Sequence, residues 1–118
     1  MKKFMLWSVI VAAAGFIAVR SVQAADETVI VKGEVLDMAC YLDHGAHGEK
    51  HAQCAATCIK SGLPVGIKGE DGKTYLLIGD HKPLNSTLAQ YAGKTITVKG
   101  KLASRDGINM IENAVIQK

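Results

Sequence analysis

Gly93-Lys94-Thr95-Ile96-Thr97-Val98-Lys99-Gly100-Lys101-Leu102 is the most regular stretch of this chain. Ile96, Val98 and Leu102 alternate with Thr95, Thr97, Lys99 and Lys101. Successive side chains on a strand point to opposite faces, so this period of two predicts a strand with one face inward and one in water. The same pattern extends in both directions. Residues 28–38 predict a long first strand, with Val29, Val31 and Val35 on one face, Lys32 and Glu34 on the other, and a bend or bulge at Gly33. Residues 65–68 and 74–78 predict a hairpin around Gly69-Glu70-Asp71-Gly72-Lys73, where Asp-Gly is the turn signal. Beyond a turn at 104–107, residues 108–116 predict the last strand, with Met110, Glu112 and Ala114 opposing Ile111 and Val115. Between the third and fourth strands, residues 83–91 predict a short helix with Pro83 in its first turn. Its buried edge is Leu84, Leu88 and Tyr91.

This order is strand, Cys/His segment, two strands, short helix, two strands. It resembles the OB-fold, a five-stranded Greek-key barrel, and the 93–102 stretch looks like the fourth strand of such domains, including small exported bacterial ones. The resemblance implies a mainly β, OB-like barrel with a Cys/His-bearing helix after strand 1 and a short helix between strands 3 and 4. The Cys/His insertion, at about 39–63, falls beside the loops that OB-folds use for ligands. A barrel of this kind does not by itself say what is bound.

The first 24 residues read as an export signal. Lys2 and Lys3 precede a run from Phe4 to Val19 without a charged residue, and Val22-Gln23-Ala24 is a small-residue cleavage site. The expected mature chain, residues 25–118, is one small domain in the periplasm or outside the cell. The whole chain carries 14 basic and 11 acidic residues. Removing Lys2, Lys3 and Arg20 leaves 11 of each, so the basic excess belongs to the signal. No argument for nucleic acid survives that subtraction. Contact with a membrane is expected only through the signal before cleavage.

The chemistry is concentrated in CYLDHGAHGEKHAQCAATC, from Cys40 to Cys58. All three cysteines and three of the four histidines lie there. If residues 49–61 are helical, His51, Cys54 and Cys58 share one face, with Cys40 approaching from the preceding segment. Ala52, Ala55, Ala56 and Ile59 form an apolar stripe beside that face, and Gly62 and Pro64 supply a stop. Thiolate and imidazole suit Zn(II) or Cu(I), which makes Cys40, His51, Cys54 and Cys58 the expected metal ligands. Met38, His44 and His47 are accessory candidates. Asp37 or Asp43 is placed to orient a ligand histidine through its second nitrogen. Tyr41 reads as barrel-edge packing and His81 as surface.

Two other readings of the cysteines stay open. Cys40 can bond Cys54 or Cys58 in a disulfide, making the barrel a stapled module for a small ligand or protein partner. A thiol-redox or haem-related accessory role is the other, although the spacing is neither Cys-x2-Cys nor a haem attachment motif. No nucleophile elbow, phosphate loop or His-Glu-x-x-His pair occurs, so binding, transfer or sensing of a metal is expected rather than catalysis.

Overall fold

The first strand, β1 (Thr28–Asp37), is the seam on which the barrel closes. The structure is a computed structural model that describes residues 27–118, so the expected export signal lies outside the described residues. β1 pairs antiparallel with β4 (Thr95–Arg105) over its first seven residues and with β2 (Val65–Gly69) over its last five. Gly33 and Glu34 take part in both ladders. At Gly33 a Cβ would fall on the carbonyl of Lys68, so only glycine allows this crossing.

β3 (Thr74–Leu77) continues antiparallel from β2 and then pairs in parallel with β5 (Ile108–Gln117), which returns antiparallel to β4. The ring β1-β2-β3-β5-β4 is closed. α1 (Met38–His44) and α2 (Ala52–Lys60) follow β1, and the short α3 (Asn85–Leu88) stands between β3 and β4. The expected mainly β, five-stranded closed barrel, with a helix after β1 and a short helix between β3 and β4, is therefore what the chain adopts. No helix among the described residues is long and apolar enough to cross a membrane.

The inward faces of the strands supply Val31, Val35, Ile67, Leu77, Val98 and Ile111 to one core. Ala55 and Ile59 of α2 join it, together with Leu88, Ala89 and Ala92. Ile59 is fully buried, a burial that contributes about 1.5–3 kcal/mol. The inserted helix is thus part of the core. Asn85 locks it in place, its amide donating to the carbonyls of Ile59 at 2.8 Å and Leu63 at 2.7 Å. Gly93, at φ 72°, presses from the other side, where a Cβ would come within 2.8 Å of Ala52 Cβ.

Three local expectations need correction. Val115 does not share an inward face with Ile111: Ile111 is buried, Val115 is exposed, and Ala114 and Ile116 pack on the core instead. The cause is a bulge, with a register shift between Lys99 and Lys101 and Asn113 at φ 52°. One residue beyond the strict alternation moves every later side chain to the other face. Pro83 does not begin a helix, because it bridges Ile78 and α3 starts two residues later. The segment over 49–61 is a 3-10 turn, Glu49–His51, followed by α2 over Ala52–Lys60.

Candidate metal centre

The centre is built where β1 ends. Asp37 is the last residue of the strand and the N-cap of α1, and its Oδ1 accepts from the Ala39 N–H at 3.0 Å. An aspartate at a strand end can turn the chain into a helix because its side chain replaces a missing helical acceptor. The cap uses one oxygen. The other, Oδ2, is buried and has no hydrogen-bond partner among the described residues, although the residue is only 1% exposed. A carboxylate held in that state carries a large desolvation cost unless a proton or cation satisfies it.

Cys40 lies three residues past the cap, on the same side of the first turn of α1. The helix ends at Gly45, whose φ of 68° reverses the chain while its N–H donates to the Tyr41 carbonyl at 2.8 Å. Glu34 then holds the returning loop against β1. Its Oε1 accepts from the Gly48 N–H at 2.7 Å, and His47 Nδ1 is 3.7 Å from its Oε2. His47 also meets Tyr41 edge to face, with ring centroids 6.4 Å apart. Pinned in this way, the 3-10 turn brings His51 back to the end of β1.

There a carboxylate oxygen of Asp37, Cys40 Sγ and a ring nitrogen of His51 all lie within 4.8 Å of one another. His51 Nε2 is buried and, like Asp37 Oδ2, has no hydrogen-bond partner among the described residues. Oxygen, sulfur and nitrogen donors thus converge in a pocket where two of the three residues present an unsatisfied atom. Such a donor set could hold a metal ion.

Cys58 lies near Cys40 and within the field of Asp37, outside the group formed by Asp37, Cys40 and His51. Cys54 stands one turn earlier on α2. The three cysteines are free; Cys54 is exposed, and Cys40 and Cys58 are half-buried. The neighbouring Asp37 carboxylate, with burial behind it, pushes the Cys40 thiol up to about 12. Burial, followed by the Asp37 charge, pushes Cys58 up as well. The unliganded cluster resists gathering further negative charge, and a bound cation would reverse that preference.

The remaining candidates are placed as follows. Met38 is buried, with its sulfur so close over Gly66 that a Cβ there would collide with it. His44 is exposed and 2.9 Å from Asp43. His81, expected at the surface, is exposed in a turn at φ 50° and 3.5 Å from Asp80. Asp37 was expected to orient a histidine from outside the ligand shell, and its position inside the triad is new information. The sequence signal was its place between an apolar strand and Met-Ala-Cys, which reads equally well as a helix cap.

Comparison with protein-family models, with curated proteins and with solved structures returned no match to this chain.

Proposed function

We propose that this protein binds one transition-metal ion at Asp37, Cys40 and His51, with Cys58 as the adjacent fourth donor. The observation that carries the reading is the convergence of three different donor atoms within 4.8 Å at a buried carboxylate. The donors favour zinc. A carboxylate is a hard ligand poorly suited to Cu(I), whereas Zn(II) accepts oxygen, nitrogen and sulfur in one tetrahedral shell. Copper is the alternative ion, held by the sulfurs and His51 without Asp37. The site's use is metal binding, transfer or sensing outside the cytoplasm, rather than catalysis.

The test is elemental analysis with a thiol count on protein purified without chelator. One equivalent of zinc is expected, with thiols that react only after the metal is removed. Metal-free protein that also fails to take up added zinc or copper would refute the proposal.

A second reading rests on Cys40 and Cys58, both free and half-buried and each near Asp37. Oxidised to a disulfide, that pair would staple α2 to the first turn of α1 and make the barrel a binding module for another ligand. The same thiol count separates the two, because the staple leaves one reactive thiol and no metal.

A further inference from the structure

Past its bulge, β5 has a strand on one side only. The N–H groups of Asn113 and Ala114 donate to the carbonyls of Gly79 and Ile78 at 3.3 and 3.0 Å. The chain then turns away at Gly79, whose N–H donates to the Lys82 carbonyl at 2.8 Å. On the other side β5 stays paired, Val115 with Lys99 and Gln117 with Thr97. Leu102 N–H donates to Glu27 and the Lys94 carbonyl accepts from Val35, so even-numbered positions along β4 bond towards β1. Lys99 and Thr97 therefore bond towards β5, and Val115 and Gln117 bond back to them. Ile116, between these two, turns its backbone N–H and C=O the opposite way, where no described residue bonds to them.

The same opening is apolar inside. A cavity of ≈220 Å³ lies between residues 84–88 and β5, lined by Leu84, Thr87, Leu88, Val98, Ala114 and Ile116. Ala114 and Ile116 pack on the core yet remain only half-buried, because the wall is open beside them. An apolar cavity of about 150 Å³ accepts benzene, so this one has room for a large apolar side chain.

We infer that this edge is a docking site for an extended peptide segment of a partner protein. The segment adds a short strand beside Ile116 and seats one apolar side chain in the cavity. Two independent observations select that occupant. Backbone groups directed outward from a strand are matched by another extended backbone, and the cavity beside them accepts an apolar group. Alternate side chains of an added strand share a face, so one residue enters the cavity while its neighbours stay in water. A free apolar molecule would fill the cavity and leave the Ile116 N–H and C=O unmatched. A second copy joined through the same edge has no apolar side chain to offer, because its own Ala114 and Ile116 pack on its own core. The docking site shares no residue with the metal centre and stands whether or not an ion is bound.

The experiment follows amide NMR signals of isotope-labelled protein during titration with blocked heptapeptides. The parent peptide is Thr-Lys-Thr-Leu-Thr-Lys-Thr. One control replaces leucine by glycine, and another methylates the three central backbone nitrogens of the parent. The parent is expected to shift the Ile116 and Thr87 amides and to slow hydrogen exchange at Ile116. The glycine peptide should bind about 10- to 100-fold more weakly, the worth of one buried leucine side chain. The methylated peptide should leave Ile116 unprotected. Thr87 is exposed, so Thr87→Trp should fill the cavity and abolish these effects without lowering the unfolding midpoint. An Ile116 amide unmoved by the parent peptide would overturn the inference. Equal binding of the methylated peptide would also overturn it, by making the site an apolar cavity alone. Protection of Ile116 before any peptide is added, with the tumbling time of a dimer, would give the edge to a second copy instead.

Discussion

Asp37 caps a helix with one carboxylate oxygen and presents the other, buried and without a partner among the described residues, to the cluster in which His51 stands within 4.8 Å. The two tasks can be separated by substitution. Asparagine is as good an N-cap as aspartate, so Asp37→Asn keeps the Ala39 contact while removing the anionic donor. Zinc affinity is expected to fall by about 100-fold or more, at the upper end of what supporting residues alone cost. Competition titration with a chelator measures it, and thermal unfolding of the metal-free variant should be almost unchanged. An unchanged affinity would exclude Asp37 from the ligand shell.

Metal affinity should rise with pH. In the metal-free protein the Asp37 carboxylate holds the Cys40 proton up to about 12, so zinc must displace a proton throughout the neutral range. Each thiol proton released adds about tenfold in affinity per pH unit below the thiol's own value. Isothermal titration in buffers of different ionisation enthalpy counts those protons directly. A Cys40→Ser variant should release fewer.

Gly93 packs tightly against the start of α2 and the loop before it. Its φ of 72° is unfavourable for any side chain, and a Cβ would meet Ala52 Cβ at 2.8 Å and the Gly48 carbonyl at 3.0 Å. Gly93→Ala should therefore destabilise the fold by about 1–3 kcal/mol. Because Ala52 follows His51 directly, zinc affinity should drop in the same variant. Urea unfolding and metal titration on one preparation test both effects.

Tyr75 and Asp71 provide a pH signature independent of the metal. The Tyr75 hydroxyl donates to Asp71 Oδ2 at 2.5 Å. Burial, and then this bond, push the phenol from 10.0 to about 12. A folded-state value raised in this way gives stability that is complete below 10.0 and lost as pH climbs towards about 12. The same bond holds Asp71 below its ordinary 3.8, so its contribution is present above 3.8 and disappears as pH falls through the lowered value. Tyr75→Phe should flatten both ends of the profile, as followed by denaturant midpoints.

The strands were legible because each buries one face and the alternation survives in the residues, as in Ile96, Val98 and Leu102. Asn113 hid the bulge, since an extra residue at positive φ leaves no gap in an apolar pattern. The seven-residue α1 was missed for a related reason: it is two turns long, and Asp37, its clearest marker, also ends a strand. Of the centre, the cysteine and histidine spacing showed which segment carries the chemistry. The buried state of Asp37 was not visible, because burial of a carboxylate depends on β2 and α2 closing over it, and those contacts are distant in sequence.

The closed ring of strands also sets an order of events during synthesis. Asp37, Cys40, His51 and Cys58 all leave the ribosome before β2 begins at Val65. The parallel pairing of β3 with β5, at Leu76 with Met110 and Leu77 with Ile111, waits for the final strand. Until then the ring of strands stays open. The Asp37 end of β1, paired with Val65 of β2, is therefore enclosed by segments that are made well before the strand that closes the ring.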